Sequence, residues 1–261
     1  MSKRNNFFGS KTSLTARTIA FLAATGITDT TIINALNTMD LALIANSLDT
    51  KMKALYPFVG GTATTHKYNF MNPVDSDAAF RLTFAGGWTH SATGALPNGT
   101  TGVADTHFNA LTNVSQDDHH TSVYQRQDVV GNRCFISAGN NTIAPVSGKM
   151  QIFPFAGTMY YMGYGSGEYG VLGVGKGFYL VSRIVSTTSK LYKNGSAIST
   201  NADTSTVPVN ANVLLARANT TPYYSNNEIA FCSLGNGFSD TQEANLYTLV
   251  QNFQTALSRN I

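Results

Sequence analysis

The sequence predicts a mainly β protein, an antiparallel β-sandwich with helical segments at both ends, on three observations. Asn194-Gly195 separates two apolar runs, and Asn-Gly is the pair that best tolerates the positive φ angles of a two-residue hairpin turn. The apolar run 229–234 then leads through a glycine turn to Ser239, where Gln242 completes a helix capping box. Helical spacing of apolar residues is found again near the beginning of the chain.

Two helices are predicted before the β-region. The first covers residues 12–25 and stops at Gly26, and the second covers residues 29–46 with Asp29 as its N-cap. The apolar positions of the second helix are Ile32, Ile33, Leu36, Met39, Leu43 and Ile44. Its uncharged amphipathic pattern requires a partner surface, which is the chain's own sandwich, a neighbouring subunit or a larger assembly.

The β-region follows, and its boundary with the helical part is placed near residue 57. Strand-like runs separated by glycine turns are found at residues 79–85, 124–130, 134–138 and 150–155. The stretch 159–177 is rich in Gly and Tyr. It is predicted to form an edge or a loop that presents tyrosines to a neighbour or a ligand.

The composition indicates a large domain with a weakly charged surface. The 261 residues are enough for one sizeable sandwich, and charged residues make up 12% against 43% hydrophobic. About a quarter of a typical soluble domain is charged, so this surface must be solvated mainly by Ser, Thr, Asn and Gly. Such a composition is typical of extracellular β-proteins and virion proteins.

Basic residues are concentrated at the beginning of the chain. Lys3, Arg4, Lys11 and Arg17 lie among the first seventeen residues, without an acidic residue between them. They form either a solvated terminus or a basic arm that attaches the chain to an acidic partner surface. Nucleic acid is not predicted as that partner, because the rest of the chain has no basic stripe interleaved with aromatic residues.

Cys134 and Cys232 have no metal-binding or redox spacing. Cys232 lies in the apolar run 229–234 and is predicted to be a buried free thiol, although a disulfide between the two stays open. No apolar run approaches the ~20 residues that cross a bilayer, and no signal peptide is recognised. The sequence therefore predicts a protein made in the cytoplasm, without membrane insertion.

One group of side chains could bind a metal ion, the run Asp117-Asp118-His119-His120. It is either a solvated loop or a divalent-ion site, such as a structural calcium site with Asp117 and Asp118 as ligands. No other cofactor is predicted. The glycines of residues 165–170 match the letters of a dinucleotide fingerprint, but further glycines interrupt the helix that must follow it.

Catalytic motifs are not recognised, and the sequence predicts that the chain is not an enzyme. Glycan hydrolysis requires two opposed carboxylates. The chain has three glutamates, Glu168, Glu228 and Glu243, and lacks the alternating Glu-x-Asp-x-Glu strand that supplies such a pair. A nucleophilic Ser elbow is also missing.

The candidate for a glycan contact is Trp88, with His90 and Asn98 as its polar partners. A solvent-facing aromatic ring can stack on a sugar while polar groups bind the hydroxyls. Packing of Trp88 in the core or in an interface is the alternative that the sequence favours. His66, His90 and His107 are interpreted as surface or loop residues.

Two parts of the chain resemble known families. The hairpin LYKNG and the segment EIAFCSLGNGFSDTQEANLY resemble the C-terminal half of laminin-G-like, concanavalin A-like jelly-roll domains, over about residues 175–250. The block from Lys51 to Asn113, preceded by ATGITD at residues 24–29, is similar to phage structural proteins, notably of phages that infect Bacteroidota. The resemblance implies a jelly-roll fold and a virion component displayed as a head fibre, spike or tail fibre.

The resulting hypothesis divides the chain into an N-terminal helical segment for attachment or oligomerisation, residues 1–56, and a laminin-G-like sandwich, residues 57–261. The chain is then a non-enzymatic virion component and a homo-oligomer, with other virion proteins and host-surface glycans as partners. The alternative is a glycan-binding or glycan-cleaving depolymerase module. A third hypothesis is a capsid decoration protein without a ligand.

Overall fold

The protein is a sandwich of two antiparallel sheets with a layer of helices on one of them. This architecture is seen in a computed structural model that describes residues 13–128, 131–138, 148–165, 169–173, 175–218 and 223–261. The predicted mainly β sandwich with an N-terminal helical segment and a C-terminal helix is therefore confirmed.

Within these ranges the helices are α1 (Ala16–Thr25), α2 (Thr30–Ala45), α3 (Ala63–His66), α4 (Ala110–Asn113) and α5 (Asp240–Ala256). The first eight strands are β1 (Met52–Tyr56), β2 (Thr83–Ala85), β3 (Trp88–Ser91), β4 (Gly94–Pro97), β5 (Val103–Asn109), β6 (His119–Gln125), β7 (Ile136–Ala138) and β8 (Met150–Phe155). The others are β9 (Thr158–Gly163), β10 (Tyr169–Leu172), β11 (Gly177–Val185), β12 (Thr188–Lys193), β13 (Ser196–Asn201), β14 (Asn212–Leu215) and β15 (Ile229–Gly235).

The strands form two sheets, which we call sheet A and sheet B. Sheet A has the order β13-β12-β11-β6-β15-β4-β3, and β1 pairs with β15 beside β4. Sheet B has the order β10-β9-β8-β7-β14-β5-β2. The short strands β3 and β2 are thus edge strands of their respective sheets.

Two hairpins have the backbone geometry that the sequence demands. Asn194 and Gly195, between β12 and β13, have φ angles of 50° and 79°. Ala156 and Gly157, between β8 and β9, have φ angles of 49° and 81°. Both turns thus have two successive residues with positive φ, as a type I′ turn requires, and the predicted hairpin at residues 194–195 is confirmed.

The core between the two sheets is formed by inward-facing side chains of both. Val123 and Cys232 contribute from sheet A, and Ile152 and Leu215 from sheet B. All four are fully buried. These side chains alternate along their strands with residues of the outer faces, as the pleat of a strand requires.

A second core lies on the outer face of sheet A, beneath α1, α2 and α5. Tyr124, Phe178 and Phe231 of the sheet are buried there against helical side chains such as Leu36 and Leu246. All residues of the central strands β6 and β15 are therefore buried. The surface that covers Leu36, Met39 and Leu43 of α2 belongs to this chain, namely sheet A and α5, whereas Ile44 of the predicted apolar face is 47% exposed.

The capping residues of the helices follow the sequence analysis. Asp29 accepts hydrogen bonds from the backbone of Thr31 and Ile32 at the start of α2. Ser239 and Gln242 form the predicted capping box of α5. The first helix begins later than predicted, after its N-cap Thr15, and ends as predicted at Gly26.

Arg17 is used within the fold and is not a free attachment residue, which corrects that expectation. Its guanidinium lies 3.2 Å from Asp40 of α2, whose side chain is 1% exposed, and 3.4 Å from Asp49. A buried carboxylate needs a cationic partner, and Arg17 supplies it by joining α1 to α2. Lys3, Arg4 and Lys11 lie outside the described residues.

The boundary placed at residue 57 needs a correction as well. Residues 52–56, assigned above to the helical segment, form β1 and pair with β15 of sheet A. Arg259 strengthens the same junction from the far end of the chain, because it donates hydrogen bonds to the carbonyls of Pro57 and Phe58. None of the helices in the described ranges combines the length and apolar character that crossing a membrane requires.

Glu243 of α5 is fully buried, and neither carboxyl oxygen has a hydrogen-bond partner. Burial, and to a lesser degree the nearby Asp240, raises the pKa of Glu243 from 4.5 to about 7. The native state therefore holds this proton more tightly than the unfolded chain does. Stability is unaffected by Glu243 below pH 4.5, decreases between pH 4.5 and 7, and stays reduced above pH 7.

We expect Glu243→Gln to stabilise the protein at pH 8 and to have little effect at pH 4. The substitution removes the ionised buried carboxylate, which costs on the order of 2 kcal/mol above pH 7. Thermal or denaturant unfolding of both proteins at the two pH values measures the effect. An equal gain at pH 4 and pH 8 would contradict the assignment.

We expect Gly195→Ala to destabilise the protein more than Gly157→Ala. Both glycines have positive φ, so each alanine carries a backbone cost of about 1 kcal/mol. A Cβ at Gly195 would also lie 2.5 Å from the Tyr247 ring of α5, whereas a Cβ at Gly157 meets nothing within 4 Å. Denaturant midpoints of the two variants give the difference, and equal losses would show that α5 does not pack on this hairpin.

Candidate functional site

The outer face of sheet B is the sheet face that the long helices leave uncovered. The helices α1, α2 and α5 pack on the outer face of sheet A, and both inner faces form the core. Along β8 and β9, the outward residues of sheet B include Phe153 and Tyr160, which are directly paired. A binding surface on a sheet face must therefore be sought here.

Four aromatic rings gather on this face, and we call them the aromatic patch: Phe153, Phe155, Tyr160 and Tyr223. Tyr223 lies 5.2 Å from Phe153 and 5.9 Å from Phe155, measured between ring centroids. Phe155 lies 6.3 Å from Tyr160 in an edge-on arrangement. Phe153 is buried beneath the other three, which are partly exposed. The patch is thus anchored from below and open above.

The Gly- and Tyr-rich stretch contributes one ring to this patch. Tyr160 lies across Gly170 of the neighbouring strand, where a Cβ would come within 3.2 Å of the ring. Tyr161, Tyr164 and Tyr169 instead belong to the core between the sheets. The predicted presentation of tyrosines thus applies to Tyr160, and β10 is an edge strand of sheet B as expected.

Two arginines lie on segments next to the aromatic patch, since the backbone of Arg133 donates to Pro154 and Arg217 pairs with Tyr224. The guanidinium of Arg217 lies over the ring of Tyr224, 5.3 Å from its centroid. Arg133 donates from Nε to the side-chain oxygen of Asn226 at 2.7 Å, and from Nη1 to the carbonyl of Asn132. Rings flanked by amides and guanidinium groups can stack on a sugar and bind its oxygens.

Sequence reasoning missed most of the aromatic patch. Phe155 and Tyr223 of the patch come from separate segments and have no common motif, and the same is true of the two arginines beside it. The alternation of Phe153 and Phe155 in β8 was a usable signal, because large aromatic residues two positions apart lie on the same face of a strand.

Trp88 and His90 lie together on β3, as neighbours on the same face of the strand. Phe84 joins them, 5.1 Å from Trp88 and 4.6 Å from His90 between ring centroids. The indole N–H of Trp88 is directed to the carbonyls of Ala85 and Val103 in sheet B. The three rings close the sandwich between its two edge strands, so the packing alternative describes Trp88 better than an open stacking surface does.

Asn98 is close to Trp88 but is occupied by its own turn. Its side-chain oxygen accepts hydrogen bonds from the backbone of Thr100, Thr101 and Gly102. Its amide nitrogen donates to the hydroxyl of Thr101. A glycan contact through this side chain would have to replace turn hydrogen bonds, which makes Asn98 a turn residue rather than a free ligand.

His66 is buried, which corrects its interpretation as a surface residue. It is 1% exposed, and its Nδ1 lies 2.9 Å from Nδ1 of His90. Burial lowers the pKa of His66 to about 3, with smaller contributions from His90 and Arg259. Both rings are held neutral near pH 7, so that one Nδ1 donates and the other accepts. His107 lies at the surface of sheet B, beside Thr83.

The run Asp117 to His120 is not the solvated loop of the sequence analysis, since its two histidines begin β6. His119 packs against Tyr164 inside the sandwich, and His120 packs against Phe238 on the other side of the sheet. Burial lowers their pKa values to about 3 and about 4, respectively. Successive side chains of a strand lie on opposite faces, so His119 and His120 are on different sides of sheet A and cannot bind one ion together.

Asp117 and Asp118 are likewise separated, and the metal site suggested for them is not assembled. Asp117 accepts a hydrogen bond from the hydroxyl of Ser205. Asp118 accepts from the backbone of Gly237 at 2.7 Å and from the amide of Asn236 at 2.6 Å. The described ranges contain no group of three or more His, Cys, Asp or Glu side chains that could hold a metal ion.

Cys134 and Cys232 are free and buried. Cys134 lies under the aromatic patch, and Cys232 lies in the core between the sheets. Burial raises the pKa of the Cys134 thiol to about 12 and that of Cys232 still further. The disulfide that the sequence left open is not formed.

Comparison with solved structures identifies the fold in glycan-acting proteins. The chain is similar to domain 4 of a GH43 extracellular arabinanase from Geobacillus stearothermophilus, in complex with arabinotriose, with a TM-score of 0.52 and 14% identity over 75% of this chain and 98% of that one. It is also similar to Trypanosoma rangeli sialidase in complex with sialic acid, with a TM-score of 0.52 and 12% identity over 74% of this chain and 32% of the sialidase. A second structure of that sialidase, with a difluoro-KDN ligand, has a TM-score of 0.53 and 10% identity over 82% of this chain and 39% of the sialidase.

The chain thus spans nearly all of the arabinanase domain and about a third of the sialidase. No family model matches the chain, and no curated protein sequence matches it. At identities of 10–14% the likeness to these structures is one of fold.

The prediction that the chain is not an enzyme is corrected by these matches. Its fold is that of a domain of a glycoside hydrolase and of part of a sialidase, which are polypeptides with enzymatic activity on glycans. Of the glutamates weighed above, Glu228 has structural contacts, and Glu243 is buried without a hydrogen-bond partner. Glu228 pairs with Arg126 at 2.5 Å and accepts from the Thr93 hydroxyl at 2.6 Å, whereas Glu168 lies outside the described residues.

Proposed function

We propose that this protein is a glycan-binding module that holds a saccharide on the aromatic patch of sheet B. The observation that carries the proposal is the patch itself, with three partly exposed rings anchored on Phe153 at the open face of the sandwich. Aromatic faces stack on the C–H surfaces of sugars, while neighbouring amides and guanidinium groups bind hydroxyls. The patch offers both kinds of contact side by side.

The matched structures support the same proposal. The arabinanase domain covered over 98% of its length is described in complex with arabinotriose, and the sialidase is described with sialic acid. A module of this fold in the present chain would bring a polypeptide to a polysaccharide. This function corresponds to the alternative of the sequence analysis, a glycan-binding or glycan-cleaving module. The proposal made here is the glycan-binding form of that alternative.

We expect the purified protein to bind oligosaccharides on a glycan array that includes arabinotriose, and Tyr223→Ala to weaken that binding about tenfold. Losing one stacking ring costs on the order of 1 kcal/mol. Isothermal titration with the best array ligand measures the affinity, and thermal melting verifies that the variant is folded.

Trp88→Phe is the matched control, because it changes an aromatic residue at the other candidate position. Trp88→Phe leaves the affinity unchanged if the saccharide lies on the aromatic patch. A loss with Trp88→Phe and none with Tyr223→Ala would move the site to the edge formed by β3. A folded wild-type protein that binds no glycan on the array would overturn the proposed function.

We further propose that this module is displayed on a phage particle, as a homo-oligomer attached to other virion proteins. This proposal rests on the resemblance of residues 24–29 and Lys51 to Asn113 to phage structural proteins. We expect mass spectrometry of purified particles to detect the chain in fixed stoichiometry with the major capsid protein. Its presence only in the lysate after particle purification would contradict a virion location.

A further inference from the structure

We propose that the saccharide recognised by this protein carries carboxylate groups, which Arg133 and Arg217 bind beside the aromatic patch. This inference rests on the proposed function and adds the chemical class of the ligand. It follows from where the chain leaves positive charge without a counter-charge.

Most arginines in the described part of the chain have a partner for their charge. Arg17, Arg81, Arg126 and Arg183 form ion pairs with aspartate or glutamate at 2.5–3.4 Å. Arg259 is 1% exposed and donates to three backbone carbonyls and to Gln254. Each of these guanidinium groups has a structural role.

Arg133 and Arg217 differ from the other five, since neither lies within 4 Å of a described carboxylate. Both side chains are partly exposed. Both residues lie on segments next to the aromatic patch, with Arg133 opposite Pro154 and Arg217 opposite Tyr224. Nε of Arg217 is buried and has no hydrogen-bond partner. An unsatisfied buried donor on a charged group is costly, so the guanidinium as a whole favours an anionic partner.

The two arginines lie along one short segment next to the patch. Tyr224 is stacked under Arg217, and Asn226 is bound by Arg133. Residues two apart along an extended chain are separated by about 7 Å, so the two contacts place the guanidinium groups about one or two sugar rings apart along the segment that follows Tyr223. Stacking on Tyr224 and the hydrogen bond to Asn226 restrict the two side chains, which lowers the entropy lost on binding.

Guanidinium groups are suited to carboxylates because their N–H donors match two oxygens at once. A neutral sugar hydroxyl accepts from one N–H donor and does not neutralise the positive charge of the guanidinium. The pair therefore favours uronate- or sialate-containing chains over neutral ones. The shared chemistry is a carboxylate on a pyranose ring beside an apolar sugar face.

The test compares each acidic saccharide with a neutral counterpart of the same backbone. Oligogalacturonate is paired with its methyl ester, and sialyllactose is paired with lactose. We expect the wild-type protein to bind at least one acidic member about tenfold or more tightly than its neutral counterpart, as a charge-assisted contact provides. A difference in the first pair identifies a uronate as the ligand, and a difference in the second pair identifies a sialate.

Arg217→Gln and Arg133→Gln are each expected to abolish that preference, while binding of the neutral counterpart stays unchanged. Arg81→Gln is the matched control, because it removes the same charge from a partly exposed arginine that is paired with Asp75 and Asp77. It keeps the full preference, and thermal melting checks that all variants are folded.

The outcomes separate this inference from the proposed function. Equal affinity for the acidic and neutral members of both pairs overturns the inference and leaves glycan binding intact. If both glutamine variants keep the preference, the inference is also overturned, because residues other than Arg133 and Arg217 would then bind the carboxylate. No binding to either pair or to any glycan on the array overturns the inference and the proposed function together.

Discussion

The burial of sheet A on both of its faces is the constraint that determines the rest of the structure. Its central strands β6 and β15 have no exposed residue, because one face forms the sandwich core and the other lies under α1, α2 and α5. A sheet covered on both sides cannot present a binding surface except at its edges. The outer face of sheet B therefore becomes the place where aromatic side chains can remain open to a ligand.

The same burial converts several reactive side chains into parts of the scaffold. His66, His119 and His120 are held neutral by desolvation, and Arg17 answers the buried carboxylate of Asp40. A titratable group in a dry interior either loses its charge or needs a partner. Residue type alone is therefore a weak indication of function in this chain. A charged side chain without an oppositely charged partner, such as Arg217, is a stronger one.

Local chemistry explains what could be predicted from the sequence. The hairpin at Asn194-Gly195, the capping residues Asp29 and Ser239 and the sandwich class depend on neighbouring residues, and all are found in the structure. The aromatic patch depends on pairing between strands that are distant in sequence, and nothing near Tyr223 indicates that Phe153 lies beside it. Trp88 was recognised as an unusual residue, but its role in closing an edge depends on Ala85 and Val103, which only the tertiary structure identifies.

The position of β15 has a consequence for how the protein is made. This strand lies in the middle of sheet A, between β6 and the pair β1 and β4, although β1 is the first strand along the chain and β15 the last. A nascent chain on the ribosome therefore holds a half-built sheet with an open slot and two unpaired strand edges until residues 229–235 emerge. Such edges can pair with those of other nascent chains, so the interval before β15 emerges is the stage at which this topology is most prone to aggregation.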